Sequence, residues 1–210
     1  DGASKTYALL LKSRLVGENP CNVDKVFCKI KQFGHHARQA GGVCAVEMAC
    51  WDLAGKAFGV PVYQMLGGQF RNRVRLYADT DQMKDGVAQG KRLKERMDYG
   101  ITYLKMDFGI ELIRDVPGAL SVPIGQTVRE RATTMHPFTG VEITDKGIAL
   151  LDEYVGGIRS VIGMEVPLSS DHYGHIDVNS CIRLAKAMEK HHLAWMEDMV
   201  PWQFGELTKQ

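Results

Sequence analysis

Leu193-Ala194-Trp195-Met196-Glu197-Asp198 is a short apolar run that ends in charge, and 26 residues upstream of Glu197 the run Val166-Pro167-Leu168-Ser169-Ser170-Asp171 does the same. A buried strand has little reason to end in charge unless that charge meets solvent, a metal or a substrate. Eight βα units of a parallel barrel take roughly 250 residues, so one unit takes about 30. The spacing of Asp171 and Glu197 therefore suits the ends of adjacent parallel strands whose carboxylates share one mouth. A third run, Ile101-Thr102-Tyr103-Leu104-Lys105-Met106-Asp107, ends in a lysine and another carboxylate. Such a mouth invites a divalent metal and acid/base chemistry.

Working outward, strand and helix alternate from Val74 to the C-terminus. Val74–Ala78 reads as a strand, Lys84–Met97 as a charged amphipathic helix closed by Gly100, and Ile101–Asp107 as the second strand. A helix over Asp145–Ile162, a strand over Glu165–Asp171, a helix over Val178–His191 and a strand over Leu193–Glu197 follow. Short links between alternating elements predict a right-handed parallel sheet. One segment breaks the rhythm: about 109–144 holds Pro117, Pro123, Pro137 and several glycines, and reads as a long insertion leaving the end of the second strand. Loops of that length are uncommon and serve as lids or binding loops, or else are disordered surface insertions.

The first 60 or so residues read differently, as helices. Val23, Val26, Phe27 and Ile30 keep a helical beat with Asn22 at the N-cap, and Val43, Val46, Cys50, Leu53, Ala54 and Ala57 mark one stripe that Met48 and Trp51 widen. Gly59 closes that helix and Pro61 prevents its return.

The bulk numbers are those of an ordinary globular chain: 210 residues, 45% hydrophobic, 24% charged, formal net charge +1. Lys and Arg are scattered rather than striped, which argues against a nucleic-acid partner. No apolar run approaches the roughly 18 residues of a membrane span, and Asp1–Lys5 does not read as a signal peptide. Cys21, Cys28, Cys44, Cys50 and Cys181 are odd in number and lack metal-type spacing, so a reduced cytoplasmic setting is expected.

Two stretches carry a resemblance. Ala45-Val46-Glu47-Met48-Ala49-Cys50-Trp51-Asp52-Leu53-Ala54-Gly55-Lys56, followed by Gly59-Val60-Pro61-Val62-Tyr63-Gln64-Met65-Leu66-Gly67-Gly68, resembles the capping-domain signature of the mandelate racemase/muconate lactonizing enzyme branch of the enolase superfamily. The lysine strand, Asp171 and Trp195-Met196-Glu197-Asp198 continue the resemblance in order, over about residues 20–205. It implies an α/β fold, a modified TIM-type (β/α)7β barrel with an α+β capping domain: 1–73 would be the mostly helical part of the cap and 74–210 the first half of the barrel, ending after about four strands. It also implies Mg2+ held by strand-end carboxylates, with Asp171 and Glu197 aligned to the first two ligands and a third ligand and a histidine–aspartate dyad beyond Gln210.

Two departures bear on the reaction. Lys105-Met106-Asp107 replaces the Lys-x-Lys of racemases and lactonizing enzymes and resembles the Lys-x-Asp of acid-sugar dehydratases; Lys105 would pair with a substrate carboxylate and polarise it, its alternative being an ion pair with a carboxylate of the chain. Asp171-His172-Tyr173-Gly174-His175 puts Tyr173 where sugar-acid dehydratases often carry a histidine as general acid. Alternation along a strand would send Tyr173 to the face of Asp171 and His172 away from it; Tyr173 or His175 would serve as acid. Asp107, His172, Arg129, Arg131 and His136 are the candidate substrate-binding residues, arginine being suited to planar carboxylates, whereas His191 and His192 read as structural. The expected function is Mg2+-dependent dehydration of a sugar acid in a homo-oligomer. The rivals are a racemase, epimerase or cycloisomerase of the same superfamily and a non-catalytic fragment or degenerate metal-binding homologue.

Overall fold

A computed structural model gives the fold; it describes residues 2–34, 41–133, 136–138, 140–171 and 176–209. The chain divides into two compact units, Asp1–Val74 and Arg75–Gln210.

The first unit is helical: α1 (Gly2–Leu10), α2 (Lys12–Leu15), α3 (Val23–Ile30), α4 (Gly41–Phe58) and α5 (Val62–Met65). Val23 and Val26 of α3 bury against Cys50 and Ala54 of α4, and Ile30 against Leu11 and Val43. Asn22 sits at the N-cap of α3, but its side chain makes no capping hydrogen bond; its carbonyl accepts from Val26. The expected stripe of α4 holds at Val43, Cys50 and Ala54 and fails at Leu53, Ala57 and Met48, which are exposed. Gly59 adopts φ +69° where α4 ends, a left-handed conformation that a side chain rarely takes.

The second unit runs α6 (Gly86–Asp98), β1 (Leu104–Asp107), β2 (Leu120–Ser121), α7 (Val128–Ala132), β3 (Glu142–Ile143), α8 (Asp145–Ile162), β4 (Leu168–Asp171), α9 (Val178–Met188) and β5 (Leu193–Met196). It is α/β: β1, β4 and β5 pair in parallel, in that order. Side chains start the helices. Asp85 accepts from the Val87 and Ala88 amides to begin α6, Thr144 from Gly147 to begin α8, and Asp177 from Asn179 and Ser180 to begin α9. One face of the sheet supplies Leu104, Met106 and Leu168 to a core shared with Leu93, Leu151, Val155, Ile158, Leu184 and Met188 of the three helices. Helices α6 and α8 approach so closely that a Cβ on Gly86 would collide with the Tyr154 carbonyl.

Two expectations are corrected. Val74–Ala78 forms no strand among the described residues: Ala78 alone bridges Leu104, while Val74 and Leu76 stay exposed and gain nothing from regular pairing. The stretch 109–144 is not a bare loop. It carries β2 and β3, paired antiparallel, and α7, whose start is a Thr127/Glu130 capping box. Ile110, Ile113, Ala119, Val141 and Ile143 anchor it in the main core. Its prolines and glycines interrupt long-period patterns without removing the buried apolar residues. No helix among the described residues is long and apolar enough to cross a membrane, and all five cysteines are free thiols.

Candidate functional site

Parallel pairing brings charged strand ends together. The register of β1 and β4 sets Asp107 beside Asp171, and Lys105 beside Ser169. Between β4 and β5 the register shifts after Leu168, and the Glu197 amide, one residue past β5, donates to the Ser170 carbonyl at 2.8 Å. Glu197 therefore stands at the same end of the sheet as Asp171. With a period of two, Tyr103 and Lys105 share one face of β1, Ser169 and Asp171 one face of β4.

Lys105 is the centre of the cluster. It is 5% exposed, and its Nζ donates to Asp171 Oδ2 at 2.7 Å and lies 2.9 Å from Glu197 Oε2. Burial pulls its pKa down, but the hydrogen bonds and charges of Asp171 and Glu197 outweigh that and hold it above the ordinary lysine value. The ammonium therefore stays charged. Asp107, half-buried at the end of β1, adds a third carboxylate to this rim of the sheet.

Below the charges lies an aromatic layer that residue-by-residue reading passed over. The Tyr103 ring stacks on Trp195 at 5.1 Å between centroids, and Tyr77 meets Trp195 edge-on at 5.7 Å. Small Ser169, fully buried between β1 and β5, leaves room for that contact, its hydroxyl 3.3 Å from the Tyr103 hydroxyl. The sequence held a signal for two of these rings: Tyr103 precedes Lys105 by two residues, and Trp195 precedes Glu197 by two.

The remaining candidates are placed as follows. Arg129, exposed, and Arg131, half-buried, sit on α7 within 109–144. His136 packs edge-on against Phe204 at 5.2 Å, and its Nδ1 accepts from the Phe138 amide at 3.2 Å. Among the described residues, Lys105, Asp171 and Glu197 make the sheet-end cluster. His172, Tyr173 and His175 lie outside the described residues. His191 is buried, and its Nε2 is 2.7 Å from Asp152 Oδ1, while Lys190 takes the other oxygen of Asp152.

Could the cluster hold a metal? Among the described residues no three His, Cys, Asp or Glu side chains come together as a set able to hold an ion. Mg2+, however, is commonly bound by one or two carboxylates with substrate oxygens and water. Asp171 and Glu197 supply oxygen donors near enough to share one cationic nitrogen, and two carboxylates against one ammonium leave net negative charge. The donor set fits Mg2+.

Several known proteins resemble this chain. Residues 3–67 match the family described as mandelate racemase / muconate lactonizing enzyme, N-terminal domain. A D-mannonate dehydratase of Caulobacter vibrioides is 32% identical over 163 residues, 76% of this chain and 38% of that protein. The crystal structure of a mandelate racemase/muconate lactonizing enzyme-like protein from Rubrobacter xylanophilus matches with TM-score 0.71 at 27% identity, over 99% of this chain and 54% of that one. An enolase from Pantoea ananatis, solved with bound D-gluconate and Mg, shares the fold with TM-score 0.65 at 23% identity, over 94% of this chain and 49% of that one. The chain spans less than half the length of the curated relatives it matches.

Proposed function

We infer that this chain, a member of the mandelate racemase/muconate lactonizing enzyme branch of the enolase superfamily with an acid-sugar dehydratase-like sequence, contributes Lys105, Asp171 and Glu197 to the Mg2+-dependent dehydration of a sugar acid. The observation that carries this reading is the buried Lys105 ammonium set between Asp171 and Glu197 at the ends of adjacent parallel strands. Mg2+, when bound, would neutralise charge building up on the substrate carboxylate. Asp171 and Glu197 are the residues that would hold it.

Other roles fall to the chain's own groups. Lys105, kept protonated, presents positive charge to the substrate carboxylate while a general base, not one of the residues assigned here, takes the α-proton. The β-hydroxyl departs with a proton from Tyr173 or His175, and water is lost; the resulting enol rearranges to a 2-keto-3-deoxy acid. Asp107, His172, Arg129, Arg131 and His136 are proposed to bind the hydroxyls and carboxylate of the substrate. Asp107 carries no cationic amine, so it cannot take the place of the second lysine of a racemase, and dehydration is favoured over racemisation or cycloisomerisation. In this reading residues 1–73 belong to a capping domain and residues 74–210 to a (β/α)7β barrel.

Incubating the protein with a panel of sugar acids and Mg2+ tests the reaction: a 2-keto-3-deoxy product is expected from at least one. Exchange or racemisation at the α-carbon alone would refute dehydration. Calorimetric Mg2+ titration tests the ligands, since Asp171→Ala and Glu197→Ala should each abolish binding seen in the parent.

A further inference from the structure

The aromatic layer has no place in the proposed reaction, yet one of its rings lies within reach of the Lys105 ammonium. Lys105 Nζ lies 5.7 Å from the centroid of the Tyr77 ring, within cation–π range. Tyr77 in turn is held from two sides: Trp195 meets it edge-on at 5.7 Å, and Tyr103 lies 6.4 Å away, tilted by 56°. Tyr103 carries the Arg75 guanidinium over its ring at 5.1 Å. These surfaces are spoken for. Tyr103 stacks on Trp195, and the Tyr77 ring has the ammonium in range, so the rings contact one another and the two cations before any ligand.

The ammonium has three N–H donors, and Asp171 and Glu197 both engage it. A lysine stem has four rotatable bonds and would otherwise hold several rotamers. We propose that Tyr77 is a positioning residue for Lys105: its ring, fixed by Trp195 and Tyr103, keeps the ammonium between Asp171 and Glu197. The ring's π face does this, and the phenol hydroxyl is dispensable. Tyr77 itself is 49% exposed, so its substitution removes little buried surface.

This proposal rests on the reading of Lys105 as the group that meets the substrate carboxylate, but it is tested without turnover. Acetylation of each lysine by an N-hydroxysuccinimide ester, mapped by mass spectrometry, reports how often the Lys105 amine leaves its place. Lys94 and Lys56, exposed on α6 and α4, serve as internal references for the folded state. Tyr77→Leu should speed acetylation of Lys105 about fivefold relative to both references, and Tyr77→Phe should leave it within about twofold of the parent. Trp195→Leu, which frees the Tyr77 ring while leaving it present, should fall between the two, and it decides the matter if Tyr77→Leu unfolds the chain and accelerates every lysine together. A Lys105 rate unchanged in Tyr77→Leu and Trp195→Leu, or raised equally by Tyr77→Phe, overturns the proposal. Failure of the sugar-acid screen with this reactivity pattern intact would refute dehydration and spare the positioning role. The reverse result would do the opposite.

Discussion

Replacing Lys105 with methionine keeps much of the stem and removes the charge. The loss is then dominated by what is left behind. Asp171 is 15% exposed at its side chain, and Glu197 42%. Removing one partner of a fully buried ion pair costs about 3–5 kcal/mol, while an exposed pair is worth at most about 1 kcal/mol. Asp171 lies nearer the first limit and Glu197 nearer the second. The two carboxylates also repel once the ammonium between them is gone: at an effective dielectric constant of about 20, charges about 5 Å apart interact by about 3 kcal/mol, and the exposure of Glu197 cuts that to about 1. Lost dehydration of the lysine offsets part of the sum. Lys105→Met should therefore lower stability by about 2–3 kcal/mol at pH 7.

The pH dependence identifies the cause. Lys105 has a raised folded-state pKa, so the stability it contributes is fully present below its unfolded value and is lost only as pH climbs through the higher folded value. The difference between parent and variant should be flat from about pH 6 to 9 and shrink as pH rises above about 10.4, the unfolded lysine value. Urea unfolding followed by circular dichroism at pH 7, 9 and 11 measures it. Millimolar Mg2+ should restore part of the loss at pH 7, because a divalent cation replaces the missing ammonium. A loss below about 0.5 kcal/mol at pH 7, or one undiminished at pH 11, would refute the assignment of Lys105 as counter-ion to both carboxylates.

Two other sites yield direct tests. Arg159 is buried with no carboxylate partner among the described residues, its guanidinium donating instead to the carbonyls of His191 (2.9 Å), Gly163 (3.1 Å), Val166 (3.0 Å) and His192 (3.0 Å). Arg159→Met should cost about 3 kcal/mol in urea unfolding and Arg159→Lys nearly as much, since a point ammonium cannot span four acceptors; a Lys variant at parental stability would count against the clamp. Cys181 is buried, and burial followed by the charge of Asp177 pushes its thiol up to about 12. Because the thiolate is the nucleophile, Cys181 should resist iodoacetamide at pH 8 in the folded protein while exposed Cys28 and Cys44 are alkylated; equal labelling of all three, read by mass spectrometry, would sink that expectation.

The sequence made some of this legible because two signals are local. Helices α6, α8 and α9 announce themselves by period, and the caps the structure adds, Asp85, Thr144 and Asp177, all act within three residues. The strands were legible by their ends, since apolar runs stopping at Asp107, Asp171 and Glu197 are a one-dimensional pattern. Segment 109–144 was not, because what orders it is distant: Ile143 donates to Ser180, and Val141 bridges Ile176, partners more than thirty residues away.

The same distinction explains why Lys105 was readable as a residue and unreadable as a counter-ion. Its position two residues before Asp107 shows only that both share a face of β1. Whether the ammonium meets Asp107 or Asp171 depends on the register of β1 against β4, and whether it also reaches Glu197 depends on the register shift between Leu168 and Ser170. A one-residue slip in either pairing would turn a carboxylate to the opposite face. Ser169 belongs to this logic, because a larger side chain there would part Tyr103 from Trp195 and loosen the ring beside Lys105. The acidic residues at the strand ends set the charge of the site. The small residue and the aromatic rings beneath them set where its one lysine points.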